Sequence, residues 1–222
     1  MESIVLEFDH VTGKMGKFRL QDISFALPAG YMMGLVGANG AGKTTCLNYV
    51  MREKNCYTGS IRIDGKERMQ KGTAFRNQVG FVSEDNVFFE ERTGAQNVEL
   101  LKNFYDHFDK ALFSETMERL GVSPGKSYYK MSRGERMKFQ MAFAMAHHPR
   151  LYLLDEVTAG MDPVFRIDFF KLLHEIIEKE EAAVLMTSHM EEEMKKQMDY
   201  IGILESGRMM YFGENHDDLW NV

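Results

Sequence analysis

The sequence predicts an α/β protein with a mostly parallel central sheet, an N-terminal antiparallel β-subdomain and an inserted helical subdomain. Short apolar runs without polar alternation, such as Leu151–Leu154, are separated by helical patterns, which is typical of parallel strands covered on both faces. Midway, residues 88–129 carry apolar side chains at helical spacing instead. The 222 residues suit one domain spanning 1–222 and are enough for a sizeable core.

Apolar and alternating runs predict the strands of the first third of the chain. The predicted strands are Ile4–Phe8, Phe18–Leu27, Tyr31–Val36, Gly59–Asp64 and Gln78–Ser83. The third run enters a glycine-rich loop, and a helix over Gly42–Arg52 is expected because such loops join a strand to a helix N-terminus. In the fourth run apolar residues alternate before Asp64-Gly65, which predicts a hairpin turn.

A helical block then interrupts the alternation of strands and helices. Thr93 and Gln96 fit a capping box, so Phe88–Tyr129 is predicted to be helical. Together with the next helix, Met137–His147, the inserted subdomain spans about residues 88–147. The later predicted elements are strand Leu151–Leu154, helix Pro163–Glu178, strand Ala182–Met186, helix Met190–Met198, and strands Ile201–Leu204 and Met209–Phe212.

Composition and charge exclude several classes of protein. No apolar run approaches the roughly 18 residues of a membrane span, and the acidic N-terminus lacks the basic region of a secretory signal. Cys46 and Cys56 are expected to be reduced thiols of a cytosolic protein. A net charge of -6 argues against a general nucleic-acid surface. The 18 methionines are interpreted as adaptable core side chains.

The glycine-rich loop fits the pattern G-x-x-x-x-G-K-[ST] of the P-loop, which cradles phosphates. Its residues are Gly37, Ala38, Asn39, Gly40, Ala41, Gly42, Lys43 and Thr44, followed by Thr45. The glycines let backbone N–H groups approach phosphate oxygens closely. Lys43 is expected to contact the β- and γ-phosphates, Thr44 to bind Mg²⁺, and Thr45 to lie near the α-phosphate. The sequence therefore predicts a P-loop NTPase.

A predicted buried strand that ends in two acids supplies the hydrolytic groups. Asp155 and Glu156 follow Leu151–Leu154, and the carboxyl ends of parallel strands face the ligand crevice. Asp155 is expected to hold Mg²⁺ through water, and Glu156 to orient or deprotonate an attacking water. The alternative is that Asp155 and Glu156 are two solvated acids at an ordinary strand end. The phosphate loop earlier in the chain argues against this alternative.

Three further features have ordinary structural interpretations when each is taken alone. Ser132 and Glu135 fit a capping box, although a helix N-terminus of this kind is also an anion site. Asp162 before Pro163 fits a helix N-cap. His189 fits a residue at the start of a helix.

The order and spacing of five motifs resemble the ATP-binding subunit of ABC transporters over essentially the whole chain. The motifs are Gly37–Thr44, Met131–Glu135, Leu151–Glu156, Ala159–Asp162 and Thr187–His189. The resemblance implies that Ser132 and Gly134 belong to the family's signature, which contacts nucleotide. It implies that Asp162 is the D-loop acid and that His189 contacts the γ-phosphate. The implied ligands are ATP and Mg²⁺.

The resemblance also implies partners. In that family two ATP-binding domains enclose two ATP molecules head to tail, so a second ATP-binding subunit, identical or related, would complete each site. A transmembrane permease subunit would contact the helical subdomain, through aromatic residues such as Phe88, Phe89 or Tyr105. The chain would then be cytoplasmic and peripheral, on the inner face of the cell membrane. No nucleic-acid partner is expected.

Several positions depart from the family's pattern. Glu84 stands where the family usually has a glutamine near Mg²⁺, and it is predicted to be a metal ligand as a hard oxygen donor. Arg133 replaces a signature glycine, and Val157 replaces a proline. The aromatic residue that stacks on adenine is missing near Met15, which leaves Met15 or Phe18 as substitutes. Glu84 and the short C-terminus resemble exporter-type subunits.

Two other functions stay open at this point. A non-transport ABC ATPase acting on ribosomes or nucleic acid usually has two ATP domains or long coiled coils, which 222 residues do not accommodate. A P-loop small-molecule kinase has no use for an activated water. The leading hypothesis is an ATPase that powers a transporter.

Overall fold

A mixed sheet organises the computed structural model, which describes residues 3–51, 57–68, 72–84, 88–159 and 161–220. The described strands are β1 (Ile4–Met15), β2 (Phe18–Pro28), β3 (Met32–Val36), β4 (Tyr57–Ile63), β5 (Lys66–Glu67), β6 (Val79–Ser83), β7 (Leu151–Asp155), β8 (Ala183–Thr187), β9 (Tyr200–Glu205) and β10 (Arg208–Glu214). The described helices are α1 (Lys43–Met51), α2 (Gly94–Leu101), α3 (Lys110–Arg119), α4 (Arg133–Met145), α5 (Pro163–Glu180) and α6 (Glu191–Gln197). The strand order is β5-β4-β1-β2-β10-β9-β3-β8-β7-β6.

The N-terminal part of the sheet is antiparallel, as predicted. β1 pairs with β2 and with β4, and β4 turns into β5 through Asp64 and Gly65. Both turn residues have positive φ, 48° and 69°, which matches the twist of a two-residue hairpin. β1 continues to Met15, well beyond the predicted end at Phe8. His10, with φ of 52°, lies within a register shift there, and the irregularity interrupts the alternation that marks a strand.

The other half of the sheet is parallel from β6 through β7, β8 and β3 to β9. Every residue of β8 is buried, which agrees with the apolar, non-alternating sequence of this strand. The register aligns Ser83, Asp155, Thr187 and Leu35 across four neighbouring strands. Polar side chains that are far apart in sequence therefore meet at one edge of the sheet.

The helices α2, α3 and α4 lie between β6 and β7 and share an aromatic core. Its aromatic members are Phe88, Phe113, Tyr128, Phe139 and Phe143. The opposite face of α4 packs on the sheet through Met137, Met141 and Met145, in keeping with methionine as a core side chain. The Gln140 side-chain oxygen accepts the Ser83 N–H at 3.0 Å, which ties α4 to the end of β6.

Some predicted bounds of the helical insertion are wrong. Residues 88–129 are helical only in α2, α3 and two short 3₁₀ turns, Lys102–Phe104 and Tyr128–Lys130. α3 starts where the Asp109 carboxylate caps two backbone N–H groups, and it ends before Gly121, which has φ of 67°. α4 begins at Arg133 rather than Met137 and ends at Met145, because the Ser132 capping box starts the helix earlier. The 3₁₀ segment Gly72–Gln78 was not predicted.

The remaining expectations about local structure are mostly confirmed. The Thr93–Gln96 capping box starts α2. Cys46 is a buried free thiol, and burial raises its pKa to about 12, so it is unreactive. Arg52, Cys56 and Gly160 lie outside the described residues. None of the described helices is both long and apolar enough to cross a membrane.

Candidate functional site

The glycine-rich loop leaves β3 at Val36 and enters α1 at Lys43, as the motif predicts. Gly37, with φ of 152°, lies so close to the Leu204 carbonyl that a Cβ atom would collide with it. Gly42, with φ of 116°, packs against Leu20 and Phe18, so a Cβ atom would be crowded there as well. These two positions require glycine, and they hold the loop in a tight turn at the N-terminus of α1.

Lys43 anchors the loop from within. Its ammonium group is buried and donates hydrogen bonds to the carbonyl oxygens of Gly37 at 2.7 Å and Ala38 at 3.3 Å. The charge therefore lies inside the curve of the loop, where an anionic phosphate would be attracted to it and to the α1 N-terminus.

Thr44, Asp155 and Thr187 meet at the edge of the sheet. The Thr44 hydroxyl donates to Asp155 Oδ1 at 3.1 Å, and the Thr187 hydroxyl donates to the same oxygen at 2.6 Å. Thr187 Oγ1 in turn accepts the backbone N–H of Glu156 at 3.0 Å. No separate role was predicted for Thr187, although a threonine at the end of a buried apolar strand is a detectable signal.

Glu156 and His189 form a pair next to this cluster. His189 Nε2 and Glu156 Oε2 are 2.7 Å apart, and both side chains are partly exposed. Glu156 has φ of 52°, a strained left-handed conformation for a residue with a side chain. Glu156 lines the same cavity as the loop residues.

A cavity of about 300 Å³ lies between the loop and Glu156. It is lined by Phe18, Asn39, Gly40, Gly42, Lys43, Thr44, Thr45 and Glu156. An added Cβ atom on Gly40 would meet no atom within 4 Å, so the loop backbone faces open space at this point. Met15 and Phe18 both pack against the core of the sheet, and of these two side chains Phe18 also lines the cavity.

The signature residues lie at the start of α4, in the helical insertion. The Ser132 hydroxyl accepts the Glu135 N–H at 3.2 Å, and Glu135 Oε2 accepts the Ser132 N–H at 2.7 Å, which confirms the capping box. A hydroxyl that accepts one hydrogen bond still has a proton to donate. The Lys126 ammonium and the Ser132 N–H lower the pKa of Glu135. Gly134 faces open space, since no atom lies within 4 Å of an added Cβ.

Asp162 and Glu84 have structural partners in the same chain. Asp162 Oδ1 accepts the backbone N–H groups of Val164 and Phe165, both at 3.0 Å, as the N-cap of α5. Glu84 follows β6 and forms an ion pair with Arg133, at 2.9 Å between Oε2 and Nη2. The structure therefore brings together Lys43, Thr44, Asp155, Glu156 and His189. It places Ser132, Gly134 and Asp162 outside the cavity lining.

The donor set is suited to Mg²⁺ and a polyphosphate. No cluster of three or more His, Cys, Asp or Glu side chains that could hold a metal occurs in the described part of the chain. Thr44 and Asp155 are adjacent oxygen donors beside the phosphate loop. Mg²⁺ is commonly bound by one or two protein oxygens together with substrate phosphates and water, which is the arrangement that these two residues allow.

Comparison with known proteins agrees with this geometry. A model of the ABC transporter family matches residues 20–159. The ABC transporter ATP-binding protein YtrB of Bacillus subtilis (strain 168) is 31% identical over 190 residues, which cover 86% of this chain and 65% of YtrB. The chain thus spans less than two thirds of that relative.

Solved structures agree as well. An ATP-binding subunit of an ABC transporter matches with a TM-score of 0.85 at 25% identity, over 97% of this chain and 91% of the other. The ATP-binding cassette MJ0796, a dimer in a post-hydrolysis state with ADP and Pi, matches in fold with a TM-score of 0.83 at 21% identity. That match covers 95% of this chain and 99% of MJ0796.

Proposed function

Because this chain belongs to the ABC transporter family, we propose that it binds and hydrolyses ATP and thereby powers a separate membrane permease. The observation that carries the proposal is the joint position of the phosphate loop, the Thr44–Asp155 contact and the Glu156–His189 pair around one cavity. The loop binds a polyphosphate, and the adjacent acid acts on water. This combination favours hydrolysis over transfer to a metabolite.

The residues of the core have distinct roles in this proposal. Residues 37–45 hold the triphosphate through backbone N–H groups and Lys43. Thr44 and Asp155 hold Mg²⁺, with Glu84 as a further candidate ligand once it leaves Arg133. Bound Mg²⁺ would neutralise part of the phosphate charge. Phe18, which lines the cavity, is a better candidate than Met15 for contact with the base.

Glu156 and His189 act on the water. The Glu156 carboxylate is the base that orients or deprotonates the attacking water, since Glu156 lines the cavity opposite the loop. His189 contacts this carboxylate at 2.7 Å and thereby fixes its direction. In this proposal His189 also contacts the γ-phosphate of bound ATP. One ATP and one water are consumed, and ADP and phosphate are released. The proton that Glu156 takes from the water leaves with the products, so the two side chains regain their starting state after each turnover.

A second ATP-binding subunit, identical or related, would supply the missing groups. Ser132 and Gly134 lie at the α4 N-terminus, and among the described residues the cavity lining contains neither. The open space around Gly134 leaves room for a nucleotide held by another copy. Asp162, exposed at the start of α5, would contribute to the same interface. ATP would then join two subunits, and its hydrolysis would release them.

The permease would bind the helical insertion. Phe89 is 54% exposed, together with Leu100, Phe104 and Tyr129 on the same insertion. Leu100 also lines a groove of about 340 Å³, together with Arg92, Ala95, Gln96 and Glu99. Phe88 is buried in the aromatic core and Tyr105 packs on His147, so of the three predicted aromatic contacts Phe89 is the available one. Binding there would place the chain on the cytoplasmic face of the membrane.

Glu156→Gln tests the proposal, because the substitution removes the base but keeps the size of the side chain. We expect phosphate release to fall about 100-fold or more. We also expect ATP and Mg²⁺ to convert monomers to stable dimers, measured by light scattering. Lys43→Ala is the matched control, which should neither hydrolyse ATP nor dimerise. A Glu156→Gln protein that stays monomeric at saturating ATP and Mg²⁺ would overturn the dimer and with it this function.

A further inference from the structure

Glu193 is a buried carboxylate that the proposed reaction does not use. It is the third residue of α6, and it is only 7% exposed, whereas Glu191 and Glu192 beside it face solvent. Burial of a carboxylate is costly unless the charge is paired and hydrogen-bonded. The partners of Glu193 therefore indicate what the residue holds in place.

Three side chains from three different segments meet at Glu193. The buried Thr158 hydroxyl donates to Oε2 at 2.7 Å, and the buried Ser188 hydroxyl donates to the same oxygen at 3.4 Å. Arg166 of α5 forms an ion pair with Oε1, at 2.9 Å from Nε, although the two atoms do not have hydrogen-bond geometry. One carboxylate thus connects the turn after β7, the loop after β8 and helix α5.

The partners lie beside the groups that act on water. Thr158 is two residues beyond Glu156, and Ser188 immediately precedes His189. Ser188 Oγ also accepts the Met190 N–H at 3.0 Å, so the backbone on both sides of His189 is fixed to this hydroxyl. Arg166 Nη2 donates to the Met161 carbonyl at 3.0 Å, next to Asp162, which extends the network to the start of α5.

Glu156 and His189 depend on such support. Both side chains are partly exposed, and Glu156 holds a strained backbone conformation that surrounding structure must maintain. From this arrangement, and on the premise that the chain hydrolyses ATP as proposed above, we propose that Glu193 is a positioning residue. With Arg166 as its counter-ion, it holds the Glu156 and His189 loops at the distance that the reaction needs.

Glu193→Gln tests this role. A glutamine can still accept the Thr158 hydrogen bond but loses the charge that attracts Arg166. Misplacement of a catalytic pair by about 1 Å can cost on the order of 100-fold in rate, so we expect kcat to fall about 10- to 100-fold. The KM for ATP should stay unchanged, because Glu193 does not line the phosphate cavity. Glu192→Gln, the exposed neighbour on α6, is the matched control and should change neither constant.

A readout without nucleotide separates this inference from the proposed function. The ring resonances of His189 in the nucleotide-free protein should shift in Glu193→Gln toward those of Glu156→Gln, and stay unchanged in Glu192→Gln. Thr158→Val, a change of similar volume, should shift them in the same direction if Glu193→Gln folds poorly. A wild-type protein that releases no phosphate would contradict the proposed function alone.

Two results would overturn the positioning role. One is a His189 signal and a kcat in Glu193→Gln that equal those of the wild type. The other is a loss of ATP affinity and folding in parallel with kcat in both Glu193→Gln and Thr158→Val, which would mean that the network only stabilises the fold.

Discussion

At the edge of the sheet, Thr44, Asp155 and Thr187 share hydrogen bonds that the register of parallel strands sets. At the start of α4, Ser132 is held by the cap of its own helix, and Arg133 reaches the sheet through the exposed carboxylate of Glu84. The first set of residues is fixed to the main core. The second belongs to helix α4, which packs on the aromatic core of the helical insertion with one face and on the sheet with the other.

In the function proposed above, this difference would let one chain hold two halves of different sites. Groups that act on the same nucleotide need constant mutual distances, which neighbouring strands provide. Groups that meet the nucleotide of another subunit need only a defined position on a unit that moves as a whole. The contacts of α2 and α3 with the sheet should therefore be weaker than the contacts within either region, whereas α4 packs on both.

The largest expected effect comes from breaking the core of the insertion. Phe139 is fully buried among Phe88, Phe113 and Tyr128, so Phe139→Ala should lower the free energy of unfolding by about 3–5 kcal/mol. Urea unfolding measures the loss. Hydrogen exchange should show reduced protection first in α2–α4, while the phosphate loop and β7 keep theirs.

The matched control for this comparison is Phe8→Ala in the sheet, where Phe8 stacks on Phe25 with ring centroids 4.6 Å apart. It should cost a similar amount but reduce protection in β1, β2 and β4. Equal loss of protection in both regions for both variants would mean that the chain opens as one unit, and the comparison would then be wrong.

A smaller effect is expected at His147, which lies between the helical insertion and the sheet. Its Nε2 is 3.3 Å from the Val79 carbonyl of β6, and its ring packs on Tyr105 at 4.2 Å. Burial lowers the pKa of His147 to about 4, against an ordinary value of 6.5, and the charge of neighbouring His148 acts in the same direction.

The sign of the pH dependence follows from this depressed pKa. The unfolded chain binds the His147 proton first as pH falls, so stability is fully present above about 6.5 and is lost toward about 4. Between pH 7 and 5 the expected loss is about 2 kcal/mol. Urea unfolding at several pH values measures it. His147→Gln should remove this part of the dependence, whereas His148→Gln should leave most of it, because burial is the main cause of the depressed pKa. An unchanged pH profile in His147→Gln would mean that another group causes the loss of stability between pH 7 and 5.

The sequence was most informative about the sheet edge. Glycine spacing, apolar strands and the acids at their ends predicted the neighbourhood of Lys43, Asp155 and Glu156, because a motif fixes local backbone and parallel strands share one edge. Thr187 Oγ1 as the group that links Asp155 to the Glu156 N–H was missed. That contact depends on the register between β7 and β8, which local patterns do not specify.

The insertion was harder to predict. Helical spacing indicated helices, and Ser132 with Glu135 was correctly interpreted as a capping box, although the helix bound was placed too late, at Met137. That Asp109 starts α3 was missed, because several polar residues nearby could also cap a helix. The Glu84–Arg133 pair and the Glu193 network join residues far apart in sequence. Each depends on a tertiary contact that neither side chain's local sequence encodes.

The smallest expected effect comes from the ion pair that joins the two regions. Arg133 and Glu84 are 2.9 Å apart, but their side chains are 44% and 66% exposed, so solvent screens the attraction. Glu84→Gln, Arg133→Gln and the double variant form a cycle in which we expect a coupling of about 0.2–1 kcal/mol, measured by urea unfolding. Glu84→Gln also restores the glutamine that the family usually has.

The salt dependence of the coupling energy distinguishes this exposed ion pair from the buried pair of Glu193 and Arg166. Raising the ionic strength to about 1 M shortens the screening length to about 3 Å, so the coupling between Glu84 and Arg133 should fall toward zero. The coupling between Glu193 and Arg166, measured in the same way, should persist, because Glu193 is buried. If the Glu84–Arg133 coupling exceeds about 2 kcal/mol or resists salt, the insertion is held to the sheet as firmly as the strands are to one another. The signature residues would then be unable to move independently of the phosphate loop.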